Sequence, residues 1–414
     1  MTSITIIGNG IAGITTAIQL RKLSDVPIMV ISDEAPYFFS RTALMYVYMG
    51  QLKFKQTEPY ERGFWMKNNI TLKSGKVLKL DITKRQLHLE NGELLEFDKL
   101  VIASGSVPNR FDWPGQELEG VSGLYHKKDL DYIEKISPKI KKAVIVGGGL
   151  IGIELAEMLR HRNIEVGFLV RESGFWNNVL PKEEAELINS EIHKHGIDLR
   201  LNTELKSIIG SEKVEAVLTA DGEKIDCQFV GLTAGVRPNI KFLKDSGIEL
   251  GKGVIVNQYL ETNIPNIYAV GDCAENTEPV PGHRSIEAVW YCGRMMGETL
   301  ALTLSGRKTA YNPGPWFNSA KFFGIEYQVY GRVSNCENYE EKHIYKEDLK
   351  QKKSLRISYN PINNEFLGIH SLGMRLRHEV FDALLRQNAN LDDALKVLKK
   401  ANFDPEFSKK YLAK

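Results

Sequence analysis

Cysteine is scarce in this chain: there are four in 414 residues. Cys227, Cys273, Cys292 and Cys336 stand far apart, with no CxxC pair and no spacing that suits a metal ion. A disulfide scaffold is thereby excluded, and free thiols fit a reducing cytoplasm. Net charge is nearly absent, since 54 Lys+Arg against 52 Asp+Glu leave a formal +2. No global field therefore argues for nucleic acid as a partner. No run of about 18 apolar residues exists to span a membrane. The opening MTSITIIGNG already reads as a buried strand, so no signal or transit peptide is expected. The nine histidines show no ligand spacing, and His126, His193 and His195 lie in polar context that suits a solvated surface, so no metal site is expected. What remains is a globular composition, 43% apolar, and a length that suits two or three domains rather than one core.

The stretch from Ile4 to Val30 reads strand, glycine turn, helix, strand. Ile4-Thr5-Ile6-Ile7 is a short apolar run and Gly8-Asn9-Gly10-Ile11-Ala12-Gly13 is the turn. Ile14 to Leu23 keeps helical apolar spacing, and Pro27 to Ile31 forms the next strand. Gly8 permits the tight turn, Gly10 lets backbone approach a pyrophosphate, and Gly13 lets helix and strand pack closely. The helix N-terminus offers free N–H groups and a positive dipole end to the phosphates. Asp33 and Glu34 follow the second strand, where a carboxylate accepts hydrogen bonds from an adenosine ribose.

The same spacing then recurs. Lys141 to Val146 is a strand, Gly147-Gly148-Gly149-Leu150-Ile151-Gly152 the turn, Ile153 to His161 the helix and Glu165 to Val170 the next strand. Two complete signatures predict two dinucleotides held in separate domains. A third element, Thr262 to Asp272, reads as a strand ending in Gly271-Asp272. Its Asp272 either accepts from a sugar-like hydroxyl or caps a short helix over Cys273-Ala274-Glu275.

In this order the three motifs resemble the pyridine nucleotide–disulfide oxidoreductase superfamily of flavoproteins, over about residues 1 to 305. The run from Asp33 through Tyr37 and Phe38 to Arg41 is similar to the branch that holds ferredoxin and rubredoxin reductases, the assimilatory nitrite reductase flavoprotein domain and apoptosis-inducing factor. The resemblance implies an α/β chain with two Rossmann-like dinucleotide-binding domains and a small α+β C-terminal domain. FAD would occupy residues 1–109 and 233–309, NADH or NADPH residues 110–232, and 310–414 would cover the flavin or form the face of a homodimer. Arg41 would reach the FAD pyrophosphate, for which a bidentate guanidinium is suited. Val77 would touch adenine through its backbone. Ala103-Ser104-Gly105 matches the crossover out of the FAD domain, with Arg110 just beyond it in the cofactor-binding set, and Thr233 to Asn239, including Gly235, matches the return. Asp272 falls on the ribitol-binding position, and Glu287-Ala288 on backbone contacts to the isoalloxazine.

Departures from the family pattern narrow the chemistry. The window Ser40 to Met49 holds no cysteine, and disulfide, peroxide and coenzyme-A-disulfide reduction all need a thiolate there. Cys273 reads as a buried small residue. Several relatives carry a lysine five residues after the arginine, paired with a glutamate beside the flavin. The glutamate position is Glu154, but the lysine position is Tyr46. Glu154 would line the nicotinamide contact; alternatively it is a first-turn glutamate favoured by the helix dipole. Asn318 stands where an aromatic often packs on the flavin, with Trp316 and Phe317 close by.

The choice of nicotinamide rests on Arg171-Glu172 after the second strand of the second repeat, where an acid favours the ribose hydroxyl and an arginine the 2′-phosphate. Both signals are present, and the spacing to Glu172 resembles that in monodehydroascorbate reductases, which implies NADH. The expected activity passes electrons from the nicotinamide through FAD to an acceptor outside the chain, a small iron–sulfur or rubredoxin-like protein or a quinone. The rival roles are a redox-sensing or partner-binding flavoprotein similar to apoptosis-inducing factor, and a peroxide-forming NADH oxidase. Beyond Tyr311 the pattern predicts strands over Tyr311 to Arg332 and Leu355 to Leu372, then helices at His378 to Gln387 and Leu391 to Lys399. The cluster Lys350, Lys352, Lys353 and Arg356 would either steer an acidic partner or form a solvated face.

Overall fold

All four side chains of Ile4–Ile7 are buried, as expected of a central strand in a parallel sheet. A computed structural model describes residues 2–403. In chain order the first elements are β1 (Ile4–Ile7), α1 (Ile11–Arg21), β2 (Ile28–Ser32), β3 (Ile70–Ser74), β4 (Lys99–Ile102) and α2 (Lys127–Ile136). There follow β5 (Lys142–Val146), α3 (Leu150–His161), β6 (Glu165–Leu169), α4 (Lys182–Lys194), β7 (Ile197–Arg200) and β8 (Phe229–Leu232). Next come β9 (Ile267–Ala269), α5 (Trp290–Leu304), β10 (Phe317–Phe322), β11 (Ile325–Gly331) and β12 (Lys342–Asp348). Last are β13 (Lys353–Tyr359), β14 (Phe366–Leu372), α6 (His378–Arg386) and α7 (Leu391–Ala401).

These elements fall into two compact units. The first comprises residues 2–109, 125–134 and 235–313, the second 110–124, 135–234 and 314–403. In the first, a parallel sheet runs β9-β4-β1-β2-β3, with Ile4 level with Ile28 on one side and Lys99 on the other. One apolar core joins this sheet to α1, to α5 and to Leu80, Leu87 and Leu89 of an antiparallel meander. α1 lies directly against α5, where a Cβ on Gly297 would meet the Ala12 carbonyl at 2.6 Å.

The second unit repeats the plan with β7-β6-β5-β8 and the short strand Val121–Ser122, all parallel. It also contains an antiparallel sheet, β10-β11-β14-β13-β12. Leu355 and Ile357 of β13 join the core formed with Phe381 and Leu384 of α6 and Leu398 of α7. The alternate β13 residues, Ser354, Arg356 and Ser358, are buried too. Arg356 stands opposite His370 of β14, and both reach Glu184 of α4. The Arg356 guanidinium donates to both Glu184 carboxylate oxygens at 2.8 Å and to Glu183 at 2.7 Å, and His370 Nδ1 lies 3.2 Å from Glu184.

Several expectations are corrected here. Arg356 does not share the surface expected of the basic cluster: it is buried and held by Glu183 and Glu184, while the partly exposed Lys352 pairs with Glu191 of the same helix. Only Lys350 of the four is exposed. The expected strand Thr262–Asp272 shrinks to Ile267–Ala269, because Asn266 turns the chain at φ 66°. The short helix expected over Cys273-Ala274-Glu275 is instead a single 3-10 turn at Gly271–Cys273, and Ala274–Asn276 is a strand paired with Val254–Val256. The first helix begins at Ile11 rather than Ile14, directly behind Gly10, and Val77 opens a strand of its own, Val77–Asp81. Of the two units, the second takes in residues 314–403 and the first 125–134, which leaves the expected flavin, nicotinamide and C-terminal domain bounds as expectations. Positions 404–414 of the expected C-terminal domain lie outside the described residues. Among those described, no helix is long and apolar enough to cross a membrane.

The Glu184 carboxyl is completely buried, which alone would raise it, yet His370 and Arg356 bring it down to about 2. A carboxylate depressed on folding stabilises above its unfolded pKa and loses that contribution as pH falls toward 2. Arg356→Met leaves Glu184 buried without its cation and is expected to cost about 3–5 kcal/mol, seen as a lower urea midpoint at neutral pH. Lys350→Ala should change it by about 0.5 kcal/mol or less.

Candidate functional site: two glycine cradles

Gly8 sits at φ 109°, and a Cβ there would come within 2.1 Å of the Ala103 carbonyl oxygen. At Gly13 a Cβ would stand 2.1 Å from the Gly8 carbonyl. Both positions are closed to any side chain. Gly10 is different, with nothing within 4 Å of its would-be Cβ and an ordinary φ of −72°. It has no side-chain cap to occupy the first N–H groups of α1, which are the groups that a phosphate takes up. Ile11 and Ala12 follow in that first turn. Asn9 fixes the turn from the side, donating to the Ala35 carbonyl at 2.8 Å and accepting from Ser32 at 2.9 Å.

Of the two acids beyond β2, Asp33 is exposed and Glu34 is turned inward. Glu34 receives the Arg41 guanidinium in bidentate fashion at 2.9 and 2.6 Å and the backbone N–H of Lys127 at 2.9 Å. Burial works to raise its carboxyl, but His126 and Arg41 outweigh that and lower it to about 2. His126 is therefore half-buried beside an acid, a correction to the solvated reading. Arg41 also donates to the Tyr125 carbonyl, and its guanidinium lies over the Tyr125 ring at 4.6 Å.

The crossover and the return are bonded together. Ser106–Pro108 pairs with Val236–Pro238, Ser104 donates to the Asn239 carbonyl at 2.8 Å, and Asn109 N–H donates to the Gly235 carbonyl at 3.0 Å. Gly105 and Gly235 turn at φ 67° and 83°. Ser106 donates to Asp272 at 3.0 Å, and the Tyr125 hydroxyl bonds the same carboxylate. Burial raises the Asp272 carboxyl against the opposing pull of Ser106 and Arg41. It also leads the rise of Tyr125 to about 12, with Asp272 next. Gly271 faces Ala12, its would-be Cβ 2.8 Å from the Ala12 methyl. Gly8, Gly10, Gly13, Glu34, Arg41, Ala103, Ser104, Gly105, Gly235 and Asp272 thus belong to one unit, as do Val77, Glu287 and Ala288. Glu287 is buried and bonded to His283 Nδ1 at 2.8 Å, while Ala288 is exposed. Cys273 is fully buried and its thiol raised by that burial, so it is a structural side chain.

The second cradle repeats the first. Gly147, at φ 117°, would place a Cβ 2.6 Å from the Thr233 carbonyl, and Gly152 one 2.3 Å from the Gly147 carbonyl. Gly149, like Gly10, faces open space and leaves α3 uncapped by any side chain. Leu150 and Ile151 form the first turn. Arg171 and Glu172 pair with each other at 3.1 Å. Glu154 is half-buried on α3, and its carboxyl is raised to about 7, by burial first and by Glu157 second. Two predicted residues make other bonds in this unit: Arg110 pairs with Glu117, and the Asn318 side chain accepts from the Ser319 N–H on β10. Tyr125, Ser106, Asn9 and His283 were not singled out from sequence. Tyr125 meets Arg41 across 84 residues of chain, a separation that carries no local pattern.

A family model described as pyridine nucleotide-disulphide oxidoreductase matches residues 2–297. The chain belongs to that family. Membership brings a flavin and a nicotinamide nucleotide as cofactors. Over 407 residues the chain is 28% identical to the assimilatory nitrate reductase electron transfer subunit of Bacillus subtilis, covering 97% of this chain but 51% of that protein. It therefore spans about half that relative's length. An NADH oxidase of Methanocaldococcus jannaschii is 33% identical over 324 residues, 74% of this chain and 71% of its own. In fold, the chain is similar to the ferredoxin reductase for the CYP199A2 system from Rhodopseudomonas palustris. Their TM-score is 0.85 at 22% identity, over 99% of this chain and 100% of that one.

The open and closed glycines separate ligand binding from folding. Gly10→Val and Gly149→Val should leave thermal unfolding within a few degrees of the parent stripped of flavin, yet Gly10→Val should yield protein without flavin and Gly149→Val protein that binds NADH at least about tenfold more weakly. Gly13→Val, whose side chain would overlap the Gly8 carbonyl, should fail to fold as soluble protein. Absorbance, calorimetry and NADH titration read all three.

Proposed function

We propose that this protein is an FAD-dependent NADH oxidoreductase that delivers electrons to a small iron–sulfur or rubredoxin-like protein. The observation carrying this reading is the pair of glycine cradles, each closed where the chain must pack and open where a phosphate must approach. In the first, the α1 N-terminus would hold the FAD pyrophosphate with Arg41, Glu34 the adenosine ribose and Asp272 the ribitol. In the second, the α3 N-terminus would hold the NADH pyrophosphate. Bound FAD would supply the hydride and electron-transfer chemistry, and the chain's residues bind, orient and set local charge.

Two features favour NADH over NADPH. Glu172 stands where a carboxylate meets a ribose hydroxyl, and Arg171, the residue suited to a 2′-phosphate, has its charge engaged by Glu172. A thiol relay is disfavoured, because the Ser40 to Met49 window holds no cysteine and Cys227, Cys273 and Cys292 are buried with raised thiols, which leaves Cys336 as the one exposed thiol. Such unpaired cysteines suit the cytoplasm. The 33% identity to a protein named NADH oxidase favours a second reading, direct transfer to oxygen. Without a reactive thiol to reduce it further, the product of that reaction would be hydrogen peroxide.

Purified protein should be yellow and bleach rapidly when NADH is mixed anaerobically. NADH should exceed NADPH in kcat/KM, and a redoxin should outpace oxygen as acceptor in steady state. A colourless protein that cannot be reconstituted with FAD would sink the proposal, and fast peroxide formation with no redoxin turnover would select the oxidase.

Glu154 supplies a pH test. A carboxyl raised by folding contributes its stability at pH below the unfolded value and loses it as pH climbs through about 7. Glu154→Gln is therefore expected to melt higher than the parent at pH 8 and not at pH 5. If Glu154 lines the nicotinamide site, the flavin reduction rate should also lose an inflection near 7. An unchanged inflection in the variant assigns it to another group.

A further inference from the structure

The loop joining β6 to α4 holds an unusual residue. Trp176 adopts a left-handed backbone at φ 51°, where a bulky side chain is disfavoured. Its N–H donates at 3.2 Å to the carbonyl of Gly148, the middle glycine of the second cradle. Its ring is gripped edge-on by Phe322 of β10 at 5.8 Å and Tyr327 of β11 at 5.3 Å. Neighbouring Phe175 is fully buried against Phe168 and Phe322, and Asn335 donates to the Asn177 carbonyl at 3.0 Å. Tyr327 in turn packs on His370, which bonds Glu184. The antiparallel sheet therefore holds this loop at several points.

The consequence follows from peptide geometry. In a trans peptide the C=O of one residue and the N–H of the next point in opposite directions. A Gly148 carbonyl bonded to Trp176 therefore aims the Gly149 N–H to the opposite side of the same peptide. Glycine on both sides makes this peptide easy to flip, and a flipped peptide would present a carbonyl oxygen where a phosphate needs a donor.

We propose that Trp176 is a positioning residue for the nicotinamide dinucleotide: it locks the Gly148–Gly149 peptide in its donor orientation, and Phe322 and Tyr327 of the antiparallel sheet hold it there. This rests on the reading of the second cradle as the nicotinamide site and assigns that sheet a share in nucleotide affinity.

Stopped-flow reduction by NADH separates the dissociation constant from the limiting rate. Trp176→Ala and Tyr327→Leu are expected to weaken NADH binding about tenfold, the scale of one lost hydrogen bond with its orientation, with flavin content and limiting rate within about twofold of the parent. Trp176→Phe, which keeps an aromatic ring in the bracket, should restore most of the affinity. Trp176→Gly, which takes the left-handed backbone without strain, should lose less than Trp176→Ala. Unchanged NADH affinity in folded, flavin-loaded Trp176→Ala and Tyr327→Leu would overturn the inference while leaving the parent reading intact. A wild-type chain that binds no NADH would overturn both.

Discussion

Four glycine positions carry the architecture because a methyl group has nowhere to go there. At Gly8 and Gly13 a Cβ would overlap the carbonyl oxygens of Ala103 and Gly8, and at Gly147 and Gly152 those of Thr233 and Gly147. Each pair brings a helix start against the ends of neighbouring parallel strands, β1 with β4 and β5 with β8. The helix N-termini then face the ends of those strands, where unpaired N–H groups and the dipole favour an anion. Gly10 and Gly149 stand between the closed positions and are free of that constraint. In both units the same spacing thus separates what packing demands from what a ligand demands.

A few of this protein's charges are used inside it. Arg356, Glu184, His370 and Glu183 link α4 to one face of the antiparallel sheet, and Arg41, Glu34 and the Lys127 N–H link α2 to the first cradle. Buried ion pairs add little net stability but make the loss of one partner costly. Arg356, the last residue of the basic cluster, is thus withdrawn from the surface.

The glycine turns were legible because their requirement is local, with strand, turn and helix contiguous over about 25 residues. The acid after β2 was legible as a pair, Asp33 and Glu34, but which one turns inward was not. That choice depends on Arg41 and on Lys127, which is 93 residues away. Arg356 was misread for a related reason. Period-two alternation along β13 assigns Leu355 and Ile357 to one face and Ser354, Arg356 and Ser358 to the other, and a polar face ordinarily meets water. Here α4 covers it. The Thr262–Asp272 strand was overextended because apolar content marks burial without marking where Asn266 turns the chain.

Composition and spacing determined that this chain holds two glycine cradles on parallel sheets and has no cysteine near Arg41. Those properties reside in residues close together along the chain, where backbone sterics act directly. Tertiary structure alone decided that Tyr125 and Ser106 join Asp272, that Arg356 is buried, and that Phe322 and Tyr327 of a sheet remote in sequence grip the loop bonded to Gly148. Each of these depends on which surfaces cover one another after folding. A surface becomes interior through its neighbours, and no local pattern in the sequence carries that information.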